Sequence, residues 1–173
     1  VLLPTAIIPD QPITLPGANK GEDWSPGNYD NKYMGPVSLK DGLAYSRNTV
    51  SVRIALLTGL GRIQKMLEKL EVKYNQPLNY SIALGTYEVS PLELTRIYSI
   101  FPNMGVLVKP HFIEKIYDRI YDASKIIYQH PLENKAVISA YTAYIMNEFM
   151  QAVVQYGTGT CAKALGVPVA GKT

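Results

Sequence analysis

Six prolines in the first 36 residues, Pro4, Pro9, Pro12, Pro16, Pro26 and Pro36, limit this chain more than any other feature. Proline lacks a backbone N–H and clashes with the preceding turn, so no long helix forms there. Gly, Asn and Asp crowd the same stretch, which is too long for a plain connection and is expected to line something functional. Within it, Pro12-Ile13-Thr14-Leu15 is expected as a short strand. The run from Trp24 to Asp30 is expected as an ordered loop, with Trp24 pinning it by packing.

Helices are thereby confined to the rest of the chain. Ser38 with Asp41 fits a capping box opening a short helix over residues 38–45. A second helix over 49–58 carries Val50, Ile54 and Leu57 as an apolar stripe. Gly59-Leu60-Gly61 breaks it, and a third helix over 62–70 turns Ile63, Met66, Leu67 and Leu70 to the core. Ser90-Pro91-Leu92-Glu93 combines a serine cap, proline in the first turn and glutamate three residues on, which starts a helix running to residue 101. Residues 111–117 and 125–128 alternate as a hairpin with Asp122-Ala123-Ser124 as its turn. The longest helix is expected over 135–156, its apolar face formed by Ile138, Tyr141, Ile145, Phe149, Ala152, Val153 and Tyr156. Gly157-Thr158-Gly159 ends it, a helical turn over 161–165 follows, and residues 167–173 are expected as a strand.

Several function classes drop out on composition. The 173 residues suffice for one domain with a real core. A net charge of +3 mildly favours an anionic substrate, and there is no basic-aromatic stripe of the kind that binds nucleic acid. The single cysteine, Cys161, excludes an internal disulfide and is expected to be a partly buried small residue. His111 and His130 are far apart in sequence and lack an acidic or cysteine cluster at ligand spacing, so no metal site is expected. No apolar run approaches the ~18 residues of a membrane-spanning helix. The apolar start, Val1 to Ile8, lacks a charged leader and contains Pro4, unlike a signal peptide. The first residue is not Met and the last two lie in an expected strand, so the chain is expected to be a piece of a longer protein.

Two motifs carry chemistry. Ser46-Arg47-Asn48 places a hydroxyl and a carboxamide two residues apart at a helix junction, able to share one cleft. The hydroxyl both donates and accepts, so it can pass a proton. The carboxamide offers a donor and an acceptor to a peptide group. At the other end, Gly166-Val167-Pro168-Val169-Ala170-Gly171-Lys172-Thr173 matches the phosphate-loop pattern G-x-x-x-x-G-K-[ST]. That chemistry needs a strand before the loop, free N–H groups in it and a helix after it. A helical segment precedes it here, Pro168 removes a donor, and no helix follows in this sequence. The alternative is that Lys172-Thr173 opens a Lys-Thr-Gly motif.

Four blocks, in order and at matching spacing, resemble one family. They are Trp24-x-Pro26-x-Asn28-Tyr29-Asp30, the run from Gly35 to Val52, the run from Ala83 to Leu94, and Tyr156-Gly157-Thr158-Gly159 through Lys172-Thr173. Together they resemble the transpeptidase domain of class A (bifunctional) penicillin-binding proteins over nearly the whole chain. The resemblance implies an α/β (α+β) fold of the β-lactamase/transpeptidase type, a mostly helical central portion with few strands, much of the central sheet lying outside the chain. It implies residues 1–173 as the central part of that domain. It also implies a reaction: a serine attacks the D-Ala-D-Ala bond of a peptidoglycan stem peptide, D-Ala leaves, and the acyl group passes to a neighbouring amine. β-Lactams would acylate the same serine. No cofactor or metal is implied. Carried across, Ser46 is the S-x-N serine that relays a proton, and Asn48 binds the substrate amide. Lys172 supplies charge near Ser46, and Thr173 stands beside it on the cleft strand. Partners implied are stem peptides, β-lactams and other cell-wall synthesis proteins. The membrane is reached only through an anchor outside the chain, with the domain facing the periplasm or cell exterior.

The chain also departs from the family pattern. None of the serines from Ser25 to Ser139 has a lysine three residues later, so the S-x-x-K nucleophile motif is absent from this sequence. The fragment alone is therefore expected to be inactive and to leave helix faces uncovered. Two other readings remain open: a non-catalytic relative that binds β-lactams or stem peptides, and a nucleotide-binding protein using the terminal loop. Tyr29-Asp30-Asn31 fits a Y-x-N variant but reads as a loop. Glu88 is expected to be exposed and Glu93 to serve its helix cap.

Overall fold

The computed structural model describes residues 3–19, 21–120, 124–131 and 133–173. Its elements are β1 (Ile7–Asp10), β2 (Leu15–Asn19), β3 (Glu22–Trp24), β4 (Gly35–Ser38), α1 (Leu39–Ala44), α2 (Asn48–Thr58), α3 (Leu60–Lys69), α4 (Pro91–Tyr98), β5 (Val106–Val108), β6 (Lys115–Tyr117), β7 (Ile126–Gln129), β8 (Asn134–Ala136) and α5 (Ala140–Gln155). Two 3₁₀ segments, Tyr80–Leu84 and Thr160–Leu165, complete it. Among the described residues the strands pair only in antiparallel twos: β1 with β4, β2 with β3, β5 with β8, β6 with β7.

The proline-rich start is therefore strand, not helix, but of the expected 12–15 strand only Leu15 is strand, as the first residue of β2. In β1, Pro9 lies directly opposite Pro36 of β4. Neither has an N–H, so they occupy the pair that exchanges no backbone hydrogen bonds. Ile8 and Val37, on the same ladder, turn inward onto Val50 of α2 and form one core, with Leu39 and Ile54 against it. A second core gathers Leu70, Ile100, Leu107 and Val137. Trp24 lies in β3 opposite Leu15 of β2, half-buried, so its role there is packing.

Both expected helix starts carry their serine caps, but at Ser38 the Asp41 carboxylate accepts from the serine hydroxyl and the reciprocal half of the expected box is not formed. The Ser38 hydroxyl accepts from the Asp41 N–H, and Ser90 with Glu93 forms a complete capping box at α4. Gly59, at φ +80°, separates α2 from α3, and α3 begins at Leu60 with Gly61 accommodated in its first turn rather than breaking the chain. Glu88 is exposed.

Several expectations need correction. The long helix begins at Ala140, where the Ser139 hydroxyl caps Thr142 N–H; residues 134–136 are instead strand, paired with β5. Its buried face is Ala143, Met150 and Ala152 to Val154, whereas Tyr141 is 69% exposed. Residues 167–173 form no strand; Gly171 N–H donates to the Met150 carbonyl, so the segment lies along α5. Cys161, on the outer side of a short 3₁₀ turn, is exposed. The hairpin at β6 and β7 forms as expected, though Asp122 and Ala123 of its turn lie outside the described residues. Leu57 and Met66, expected in the core, are exposed because no described element of this chain packs over them. No helix among the described residues is long and apolar enough to cross a membrane.

Candidate active site

Helices α1 and α2 meet at Tyr45-Ser46-Arg47. Ser46 adopts the left-handed conformation at φ +53°, a region that costs a residue bearing a Cβ on the order of 1 kcal/mol or more. That backbone turn aims its hydroxyl away from α1. Lys172 arrives 126 residues later and its Nζ donates to Ser46 Oγ at 2.7 Å. Its amine also donates to the Thr173 carbonyl. Burial pushes Lys172 below the ordinary lysine range, since a cation loses hydration there. A lysine so placed releases a proton more easily than a solvated one.

Asn48 opens α2, and its Nδ2 donates to the Gly27 carbonyl at 2.8 Å. The donor half of the carboxamide is therefore engaged by the 24–30 loop, which fixes the orientation of the group. Thr173 shares a hydroxyl–hydroxyl hydrogen bond with Thr158. Thr158 in turn is tied to α1: its N–H donates to the Ala44 carbonyl at 3.0 Å. All four residues expected at the site, Ser46, Asn48, Lys172 and Thr173, thus belong to one neighbourhood where α1, α2, the 24–30 loop and the terminal segment converge. Tyr29-Asp30-Asn31 is a loop, with Tyr29 fully exposed.

Sequence reasoning missed what holds this neighbourhood together. Asp10, fully buried, accepts from four donors: Arg47 Nε at 2.8 Å, Met34 N–H at 2.9 Å, Asn28 Nδ2 at 2.7 Å and the Thr49 hydroxyl. Burial raises the Asp10 pKa, but the hydrogen bonds from Thr49, Asn28, Met34 and Arg47 outweigh it and hold the carboxyl below its usual range. Arg47 also pairs with Asp30 at 3.1 Å and donates to the Lys32 carbonyl. The signal was present in sequence as an arginine inside the S-x-N motif, but its acceptor lies 37 residues upstream. Tyr156, expected on the apolar face of the long helix, instead stands at its end and donates to Asp41 at 2.9 Å; burial and that carboxylate push its phenol up to about 12.

The phosphate-loop geometry is not met here. A 3₁₀ segment, Thr160–Leu165, precedes the Gly166 to Thr173 run, and the Lys172 amine is directed at Ser46. His111 and His130, distant in sequence, stack face to face with centroids 3.8 Å apart and planes 12° from parallel. Lone pairs in parallel ring planes do not converge on one ion, and no cluster of three ligating side chains occurs among the described residues. A surface hollow lined by Lys73 to Gln76 and Thr86 to Glu88 shares no residue with the Ser46 site.

A helical α+β core with partial sheet, presenting a serine and asparagine at a helix junction opposite a lysine, defines a domain of the transpeptidase/β-lactamase-like class. Comparison with known proteins gives the family. Residues 2–173 match the penicillin binding protein transpeptidase domain, and the chain belongs to that family. It is 39% identical over 176 residues to penicillin-binding protein 1A of Neisseria meningitidis, covering 98% of this chain and 22% of that protein. It is 33% identical over 190 residues to penicillin-binding protein 1A of Rickettsia bellii, covering 98% and 24%. The chain thus spans less than a quarter of the length of these relatives. The crystal structure of penicillin-binding protein 1A from Haemophilus influenzae superposes with a TM-score of 0.84 at 23% identity, over 99% of this chain and 31% of that one. Penicillin binding protein 3 from Mycobacterium tuberculosis, complexed with ampicillin, gives 0.71 at 23% identity over 89% and 40%.

Proposed function

We propose that this chain is the central part of a transpeptidase domain whose parent protein cross-links peptidoglycan. The reaction is serine-type D-Ala-D-Ala transpeptidation through an acyl-enzyme, open to inhibition by β-lactams. The observation that carries the reading is the 2.7 Å hydrogen bond from Lys172 to Ser46. In this reading Ser46 passes a proton toward the leaving amine, with Lys172 beside it easing the transfer. Asn48 presents its carboxamide to the substrate peptide group. Thr173, steadied by Thr158, lies at the substrate carboxylate, where the Lys172 charge also acts. The attacking serine and its lysine belong to an S-x-x-K motif outside this sequence. The parent is held at the bacterial inner membrane by an anchor outside this chain, faces the periplasm or cell exterior, and works beside other cell-wall synthesis proteins.

Intact-mass analysis of the parent after incubation with a fluorescent penicillin tests the reading. A covalent adduct on a serine, formed more slowly in Ser46→Ala and Lys172→Ala, supports it. No adduct on the folded parent refutes it and favours a binding relative without catalysis.

A further inference from the structure

The buried polar cluster under the S-x-N turn has a geometry that goes beyond packing. Side chains alternate along residues 46–49. Ser46 and Asn48, half-buried, are directed to Lys172 and to the Gly27 carbonyl. Arg47 and Thr49, buried, point the other way and both end on Asp10. The two carboxylate oxygens divide the work. Oδ2 takes Arg47 Nε and the Met34 N–H; Oδ1 takes the Thr49 hydroxyl and Asn28 Nδ2. Asn28 closes the figure by accepting from the Thr49 N–H at 3.4 Å and donating to the Lys32 carbonyl at 2.9 Å.

We propose that Asp10, Arg47 and Thr49 form a clamp that positions Ser46 and Asn48 for the reaction, with Asp10 as its fixed point. This rests on the transpeptidase reading given above. Asp10 is not itself the proton acceptor: a carboxylate offers about four acceptor sites, and four donors of the protein fill them. Its effect passes through the chain. Ser46 sits in a strained left-handed turn, flanked on its C-terminal side by a residue whose guanidinium is bonded to Asp10, Asp30 and the Lys32 carbonyl. Such strain persists only where surrounding contacts over-determine it. A buried ion pair is weak evidence for stability by itself, since an apolar replacement often folds equally well. Its use here is register. With the 47 and 49 side chains tied to one carboxylate, residues 46 and 48 have one direction to face.

The test compares Arg47→Met, the near-isosteric Thr49→Val and the conservative Thr49→Ser in the full-length protein. Two readouts are taken: the concentration dependence of acylation by fluorescent penicillin, and trace labelling of the Lys172 amine with acetic anhydride, read by peptide mass spectrometry. Arg47→Met and Thr49→Val are expected to fold, to lower the limiting acylation rate by about 10- to 100-fold, the scale of a 1 Å misplacement, and to leave the half-saturating concentration within about threefold. Thr49→Ser, which keeps the hydroxyl to Asp10, stays within about twofold of the parent. Lys172 labelling rises several-fold in the first two variants, because Ser46 no longer meets the amine. Parental acylation rates in Arg47→Met and Thr49→Val, or losses matching only an unfolded fraction with Lys172 labelling unchanged, overturn the clamp. If the unaltered protein takes no penicillin, the transpeptidase reading fails, and Lys172 labelling decides the clamp by itself: raised labelling in Arg47→Met upholds it and parental labelling refutes it.

Discussion

Gly157→Ala puts the junction of α5 with the Ser46 turn under direct test. A Cβ at residue 157 would lie 2.1 Å from the Ala44 carbonyl oxygen, 2.7 Å from its carbon and 3.0 Å from Val153 Cα. All three are backbone atoms, so no side chain can swing aside. Restoring an ordinary contact near 3.4 Å requires the end of α5 and the end of α1 to part by roughly 1.3 Å. Two consequences add. Overpacking of this kind costs about 1–3 kcal/mol. The Thr158 N–H to Ala44 bond is stretched at the same time, worth about 1 kcal/mol more. A loss of about 2–4 kcal/mol from a domain of ordinary stability lowers its melting temperature by roughly 4–16 °C. Because Ala44 lies two residues before Ser46 and Thr158 carries Thr173, the same displacement widens the Ser46–Lys172 contact, and acylation slows by about 10-fold or more. Gly61→Ala is the control: nothing lies within 4 Å of its added Cβ, and it sits within α3. That change should raise stability by about 0.5–1 kcal/mol. Thermal melts of the folded protein read both. A Gly157→Ala variant melting within about 2 °C of the parent, while Gly61→Ala behaves as stated, would refute the argument from close approach.

Three further outcomes follow from the electrostatics and caps. Asp10→Asn leaves Arg47 buried without its nearest carboxylate and should cost about 3–5 kcal/mol in urea unfolding at neutral pH. Since the folded Asp10 pKa lies below 3.8, its contribution is complete above that value and lost as pH falls through the folded one; the gap between parent and variant therefore narrows below about pH 4. Lys172→Met should abolish most acylation without lowering the melting temperature. Burial lowers the Lys172 pKa, so the unfolded chain holds more protons in that window and parental stability rises with pH through it; urea melts at about pH 7 and about pH 10 should show this slope in the parent and not in the variant. Ser90→Ala removes the capping box of α4 and should destabilise by about 1 kcal/mol, seen as a shift in urea midpoint at unchanged slope; no shift would mean that cap is idle.

Local signals reach as far as local physics. Proline positions exclude helix over the first 36 residues, and the serine cap at Ser38 and the capping box at Ser90 start helices where they should, because each rests on groups within four residues. Glycine at 59 stops α2 for the same reason. The S-x-N run and Lys172-Thr173 are legible as chemistry from their residue types and from family resemblance. Tertiary packing alone decides the rest. Residues 134–136 take strand over helix because β5 offers them a ladder, and Tyr141 faces solvent because the buried face of α5 is the one carrying Ala143, Met150 and Ala152 to Val154, with α1 packed on this helix. Among the described residues the terminal segment has no strand beside it to pair with, and Gly171 bonds to α5 instead. The Asp10 clamp spans 39 residues to Thr49, and the Lys172–Ser46 contact spans 126. No periodicity or cap encodes such pairings; they exist only once β1, the 24–34 loop and α5 have brought their residues to one place.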